Sequence, residues 1–148
     1  YIGGKFSVKD FGAITTDKDT PFPKRLCEIY EDYCQILDSW KPDALSIERL
    51  YFTNNQKTGI DVAQARGIII MAAAQRGIEI NEYTPLQVKR AVVGYGQAVK
   101  KQVQEMTKNI LKLSCVPKPD DTADALAMTI CHAQTSGSLL RNIKASNI

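Results

Sequence analysis

The sequence predicts an α/β fold, a mixed sheet flanked by helices. Short runs of strand length, with apolar residues at Leu45 and Ile47 and at Ile78 and Ile80, alternate with longer segments whose apolar residues recur three and four positions apart. Pro, Gly and Asn fall at the joins between them, and no internal repeat or low-complexity tract interrupts the order.

The first segment reads as a hairpin. Lys5-Phe6-Ser7-Val8 alternates, and Phe11-Gly12-Ala13-Ile14-Thr15 follows as a second extended run. Pro21 and Pro23 then precede Leu26, Ile29, Tyr30, Tyr33, Ile36, Leu37 and Trp40, which share one face of a helix that Lys41-Pro42 ends. The run from Asp43 to Glu48 follows a helix and precedes another, so it reads as a strand with Glu48 at its C-terminal end. From Asn54 or Asn55 to Gly77 runs a second helix rich in small side chains, among them Ala63, Gly67 and Ala74, a surface another helix can approach closely.

Ile78 to Tyr83 is another strand. Thr84-Pro85 opens a short helix through Val93, Gly94-Tyr95-Gly96 makes a turn, and a helix from Gln97 or Ala98 to Leu113 follows. After the breaker Pro117-Lys118-Pro119 the last helix starts at Asp120 or Asp121, and Ser136-Gly137-Ser138 is expected to stop it. The chain of 148 residues fits one domain over 1–137, with 138–148 as a flexible tail.

Bulk composition narrows the function classes. Charged residues are 24% and hydrophobic residues 44%, which excludes a disordered chain. The longest apolar stretch, Gly67 to Ala74, is too short to span a bilayer, and the N-terminus has no secretory pattern, so a cytoplasmic location without a membrane partner is the expectation. Cys27, Cys34, Cys115 and Cys131 form no CxxC pair and no ligand spacing with His132, the only histidine, so they read as reduced structural residues. A net charge of +3 and a pI near 8.7 permit an anionic partner but do not require one.

The acids carry the chemistry. Ligands of open α/β sheets bind at strand ends, where Glu48 lies, although a solvated charge or a partner for Arg49 is the plainer reading of one such residue. Asp121 and Asp124 share a face in the first turn of a helix and suit Mg²⁺, which prefers oxygen, yet acids there also cap free N–H groups. Together the three can converge to hold divalent ions around a scissile phosphate.

The segments IERLYFTNN from Ile47, QARG from Gln64, QVKRAVVGYGQAVKKQVQEM from Gln87 and DDTADALA from Asp120 resemble, in order and spacing, the RuvC family of Holliday-junction resolvases. The likeness runs from about Gly12 to Ala133. It implies a ribonuclease-H-like fold and a homodimer with two sites. It also implies symmetric nicking of four-way junction DNA with Mg²⁺ or Mn²⁺, in recombination and repair, alongside branch-migration motor proteins. By position Glu48, Asp121 and Asp124 match three of the family's four catalytic acids. The fourth lies in a first strand, in the middle of the sheet, to which nothing here corresponds; the chain is therefore expected to be part of a longer protein and weak or inactive alone.

Lys89, Arg90, Lys100, Lys101, Lys108 and Lys112 surround two helices and the turn between them, placed to neutralise phosphates. Lys89 and Lys100 match basic family positions implicated in DNA binding. Lys101 joins them as a candidate, while Lys108 and Lys112 read better as a solvated face. Tyr51 and Phe52 follow Glu48 in a polar loop, where they can stack on an unpaired base or fold onto the core; Tyr51 aligns with the family's aromatic. The competing functions are a ribonuclease-H-like nuclease of other specificity and a non-catalytic junction-binding module. His132 is left outside the site.

Overall fold

A computed structural model describes the backbone of residues 1–50 and 56–145, and the side chains of 1–50 and 59–136. The elements are α1 (Phe22–Trp40), β1 (Ala44–Glu48), α2 (Gln56–Gln75), β2 (Glu79–Tyr83), α3 (Pro85–Val93), α4 (Lys100–Leu111) and α5 (Asp120–Ala145). Strands β1 and β2 pair in a small parallel sheet, with α2 as the crossover that a parallel pair requires. No helix of the described residues is long and apolar enough to cross a membrane.

The chain divides into two compact units, one of Ile14–Leu45 and Arg49–Asn81, the other of Tyr1–Ala13, Ser46–Glu48 and Glu82–Ile148. In the first, α1 packs on α2 around buried Leu37, Ala72 and Ala73. Arg76 Nε donates to Asp38 Oδ1 at 2.6 Å and Nη2 to Oδ2 at 2.9 Å, a bidentate pair that holds the Asp38 carboxyl below its usual range. Helix α2 ends in a double clasp: Gly77, with φ at 68°, donates to Ala74 O, and Ile78 donates to Ala73 O at 3.1 Å. That conformation is the one Gly supplies without a steric cost. The expected apolar face of α1 is only half used. It meets α2 through Tyr30, Tyr33, Cys34 and Leu37, while Ile36 and Trp40, at the edge of a wide arc, are exposed.

The second unit contains α3, α4 and α5 around Tyr83, Val88, Val92, Ala98, Val103, Ala127, Ile130 and Cys131. Spacings of three and four on α5, from Ala123 through Leu126, Ala127, Ile130 and Cys131, give that helix its buried face. Thr84 starts α3 as a capping box: its Oγ1 accepts from Gln87 N at 3.2 Å, and Gln87 Oε1 accepts from Thr84 N at 2.8 Å. Gly94, with φ at 92°, ends it.

Two sequence expectations are corrected. The N-terminal hairpin does not form: among the described residues, 1–15 hold one isolated bridge, Ile2 to Lys5, although Phe6 packs against the core of its unit. A lone hairpin is marginal in water without a third strand or a covering helix, so alternation in its sequence is not enough. Helix α5 does not stop at Ser136-Gly137-Ser138 but continues to Ala145. One internal Gly costs roughly 1 kcal/mol relative to Ala, too little to break a helix whose following residues, Leu139-Leu140-Arg141, favour it.

Candidate active site

The C-terminal end of β1 and the N-terminal parts of α3, α4 and α5 border one cleft of about 220 Å³. Its walls are Glu48, Pro85, Val88, Lys89, Lys100, Val103, Asp124, Ala127 and Met128, all within the second unit. Two of the three acids singled out in the sequence, Glu48 and Asp124, thus share it. Asp121 is exposed on α5 and is not among the lining residues. Among the described residues no three His, Cys, Asp or Glu side chains converge closely enough to hold a metal ion by themselves.

Lys100 organises the charge. Its Nζ lies 3.1 Å from Asp124 Oδ2 and 3.9 Å from Asp120 Oδ2. Asp124 first, and Asp120 and Asp121 more weakly, raise the Lys100 pKa above its usual value, so the ammonium stays charged. Lys118 Nζ donates to Asp120 Oδ1 at 2.6 Å and holds that carboxyl below its usual range. Asp120 is therefore a cation partner at the helix start, with Asp124 one turn further into the cleft.

The placement of Lys100 and Lys101 runs against local preference. They are the first two residues of α4, whose first turn contains no acid, and the positive end of a helix macrodipole disfavours cations. Val99, before them, offers no capping atom; Gln102 Oε1 accepts the Val99 N–H at 3.0 Å instead. For Lys100 the pairing with Asp124 offsets that cost. An anion at this helix start would meet both the lysines and the amide groups.

Lys89 lines the cleft, while Lys101, next to Lys100 in sequence, is exposed and does not line it. Lys108 pairs with Glu105 at 3.2 Å, as a solvated face would. Tyr51 and Phe52 lie outside the described residues. His132 Nδ1 is 2.8 Å from the hydroxyl of buried Tyr83 and does not line the cleft. Sequence reasoning missed Ala127 and Met128, although their offsets of three and four from Asp124 put them on its face of α5.

The donor chemistry fits a hard divalent cation. Mg²⁺ keeps several waters and is bound through one or two carboxylates plus substrate phosphates, and Glu48 with Asp124 supplies such a pair. Lys100 already gives Asp124 a cation to neutralise.

The family model described as crossover junction endodeoxyribonuclease RuvC matches residues 2–132. The chain is 52% identical over 144 residues to crossover junction endodeoxyribonuclease RuvC of Ruminiclostridium cellulolyticum, covering 96% of this chain and 87% of that protein. It is 52% identical over 135 residues to the protein of the same name from Alkaliphilus oremlandii, covering 91% and 82%. Among solved structures it is similar to RuvC of Thermus thermophilus in complex with Holliday junction substrate. The TM-score is 0.83 at 30% identity, over 88% of this chain and 79% of that one.

Proposed function

Given that the chain belongs to the RuvC family of crossover junction endodeoxyribonucleases, we propose that the cleft holding Glu48 and Asp124 is where it cuts DNA. The chain is a Holliday-junction resolvase, a metal-dependent hydrolase that acts on four-way DNA junctions. The observation that supports this cleft as the site is its mixed lining: acids from β1 and α5 face the same space as Lys89 and Lys100.

The parts divide the work. Glu48 and Asp124, with Asp121 one turn earlier on α5, are the groups that would hold Mg²⁺ or Mn²⁺. When bound, such ions polarise the scissile phosphate and lower the pKa of an attacking water. Lys89 and Lys100 draw the phosphate backbone into the cleft. Lys100 also balances Asp124 before substrate arrives, and moves its charge towards the phosphate as the strand enters. Val88, Val103, Ala127 and Met128 supply the apolar part of the cleft lining.

Each lysine that neutralises a phosphate releases a counterion. Lys89→Met and Lys100→Met are each expected to lower the slope of log affinity against log salt by roughly 0.9 for duplex arms, measured by anisotropy titrations at several salt concentrations. An unchanged slope would remove that lysine from the DNA path.

The homodimer is proposed to use α2. Ile60, Ala63, Gly67, Met71 and Ala74 recur at three- and four-residue spacing and all are exposed. A two-fold contact through this stripe presents the same patch from both copies. A Cβ added at Gly67 meets nothing within 4 Å, so Gly67→Leu starts from open surface. It is expected to shift sedimentation towards monomer, and an unaltered dimer would place the seam elsewhere.

A second reading, junction binding without cutting, draws on the absence among the described residues of three converging metal-capable side chains. Affinities for a four-way junction, duplex DNA and an RNA–DNA hybrid, measured in EDTA and followed by Mg²⁺ addition, test both. Equal affinity for all three would overturn junction recognition; junction preference without nicking would favour the second reading.

A further inference from the structure

The turn between α3 and α4 carries an exposed apolar strip beyond the cleft walls. Leu86, Tyr95 and Val99 are 44%, 46% and 60% exposed, three large apolar residues within one turn and the two helix starts beside it. The strip is built, not loose. Gly94, with φ at 92°, donates its N–H to Arg90 O at 2.9 Å and fixes the entry to the turn. Gly96 fixes the exit: a Cβ there would fall 2.2 Å from Leu86 Cδ1 and 3.6 Å from Arg90 Nε, so Leu86 lies directly against the turn. Tyr95 stands between these two constraints with half of its side chain in solvent.

The strip continues the site. Leu86 follows Pro85 and Val99 precedes Lys100, and both Pro85 and Lys100 line the cleft. Lys89, Arg90, Lys100 and Lys101 lie on the same two helix segments, so flat apolar surface sits among cations. That combination matches a polyanion with flat apolar groups exposed, an unpaired nucleotide, whose phosphates meet lysines while its base meets an aromatic face.

We propose that Tyr95 is a positioning residue that stacks on a nucleobase unpaired beside the junction exchange point, with Leu86 and Val99 as apolar walls. The inference rests on the junction-cleaving reading given above. Tyr95 sits on the α3–α4 turn, so this contact is distinct from any made by Tyr51 or Phe52. Holding the base there directs the adjoining phosphate towards the neighbouring cleft.

The test uses the full chain and synthetic four-way junctions with 2-aminopurine placed, one position at a time, in the four nucleotides on each side of the exchange point. Wild type and Tyr95→Phe should quench one position strongly; Tyr95→Ala should not. Tyr95→Ala should also weaken junction affinity by about 5- to 150-fold, the range for loss of one base–aromatic stack, with duplex affinity and the salt slope little changed. Because Tyr95 is half exposed, melting temperatures of both variants should match wild type, and Tyr95→Phe serves if Tyr95→Ala does not fold. Quenching that persists in Tyr95→Ala overturns the stack, as does loss in Tyr95→Phe. Should wild type itself fail to prefer the junction over duplex, the underlying reading fails first, and that result is visible without any variant.

Discussion

Glu48→Gln is expected to lower the rate of junction cleavage by on the order of 100-fold or more, while junction affinity in EDTA stays within about twofold. The substitution keeps the shape of the side chain and removes one negative charge from the cleft. If Glu48 helps to hold a cation against the scissile phosphate, the loss appears in the chemical step and grows more severe as Mg²⁺ is lowered. If Glu48 is only a solvated strand-end charge, cleavage changes by a fewfold at most. Cleavage should be measured on the chain as it stands and on a chimera carrying the N-terminal segment of a curated relative, so that a silent parent does not hide the comparison. A loss below about fivefold in whichever protein cuts would remove Glu48 from the machinery.

Ile130→Ala is expected to destabilise the second unit by about 2–5 kcal/mol, since it deletes a side chain that is fully buried among those of α3, α4 and α5. For a chain of this size that corresponds to a fall in melting temperature of roughly 4–20 °C, read by calorimetry. Ile130→Val, which removes one methyl, should cost only about 0.5–1.5 kcal/mol. A change below about 1 kcal/mol for the alanine variant would mean that the cavity collapses at little expense and that this core is less tightly packed than its burial indicates.

The parts of the fold legible in the sequence are those set by local chemistry. The Thr84-Pro85 start and the stops at Gly77 and Gly94 each depend on a few adjacent residues, and each lies where the sequence puts it. Glu48 at a strand end was legible for the same reason. What was not legible depends on partners distant in sequence. Alternation in Lys5 to Val8 cannot say whether another strand is present to pair with it. Nor can the spacing of Ile36 and Trp40 tell which part of a broad apolar arc a neighbouring helix will cover. The difference between Asp121 and Asp124 is of this kind too. Three positions apart at a helix start, they look equivalent, and only the packing of α5 on α3 and α4 brings Asp124 beside Lys100 and leaves Asp121 exposed. Lys100 itself was visible as a basic residue, but not as the counter-ion of the acid it was expected to assist.

Helix α5 carries Asp124 on its cleft side and Ile130 in the core, about 9 Å apart along one axis at 1.5 Å per residue. A helix is nearly inextensible, so whatever shifts its buried end carries the carboxylate with it. A displacement near 1 Å at a reacting centre can cost about 100-fold in rate. Anyone re-engineering this core for heat resistance would therefore also be retuning the enzyme: a substitution on the buried side of α5 that raised the melting point would still misalign the acid if it moved the helix, so stability and cleavage would have to be screened together.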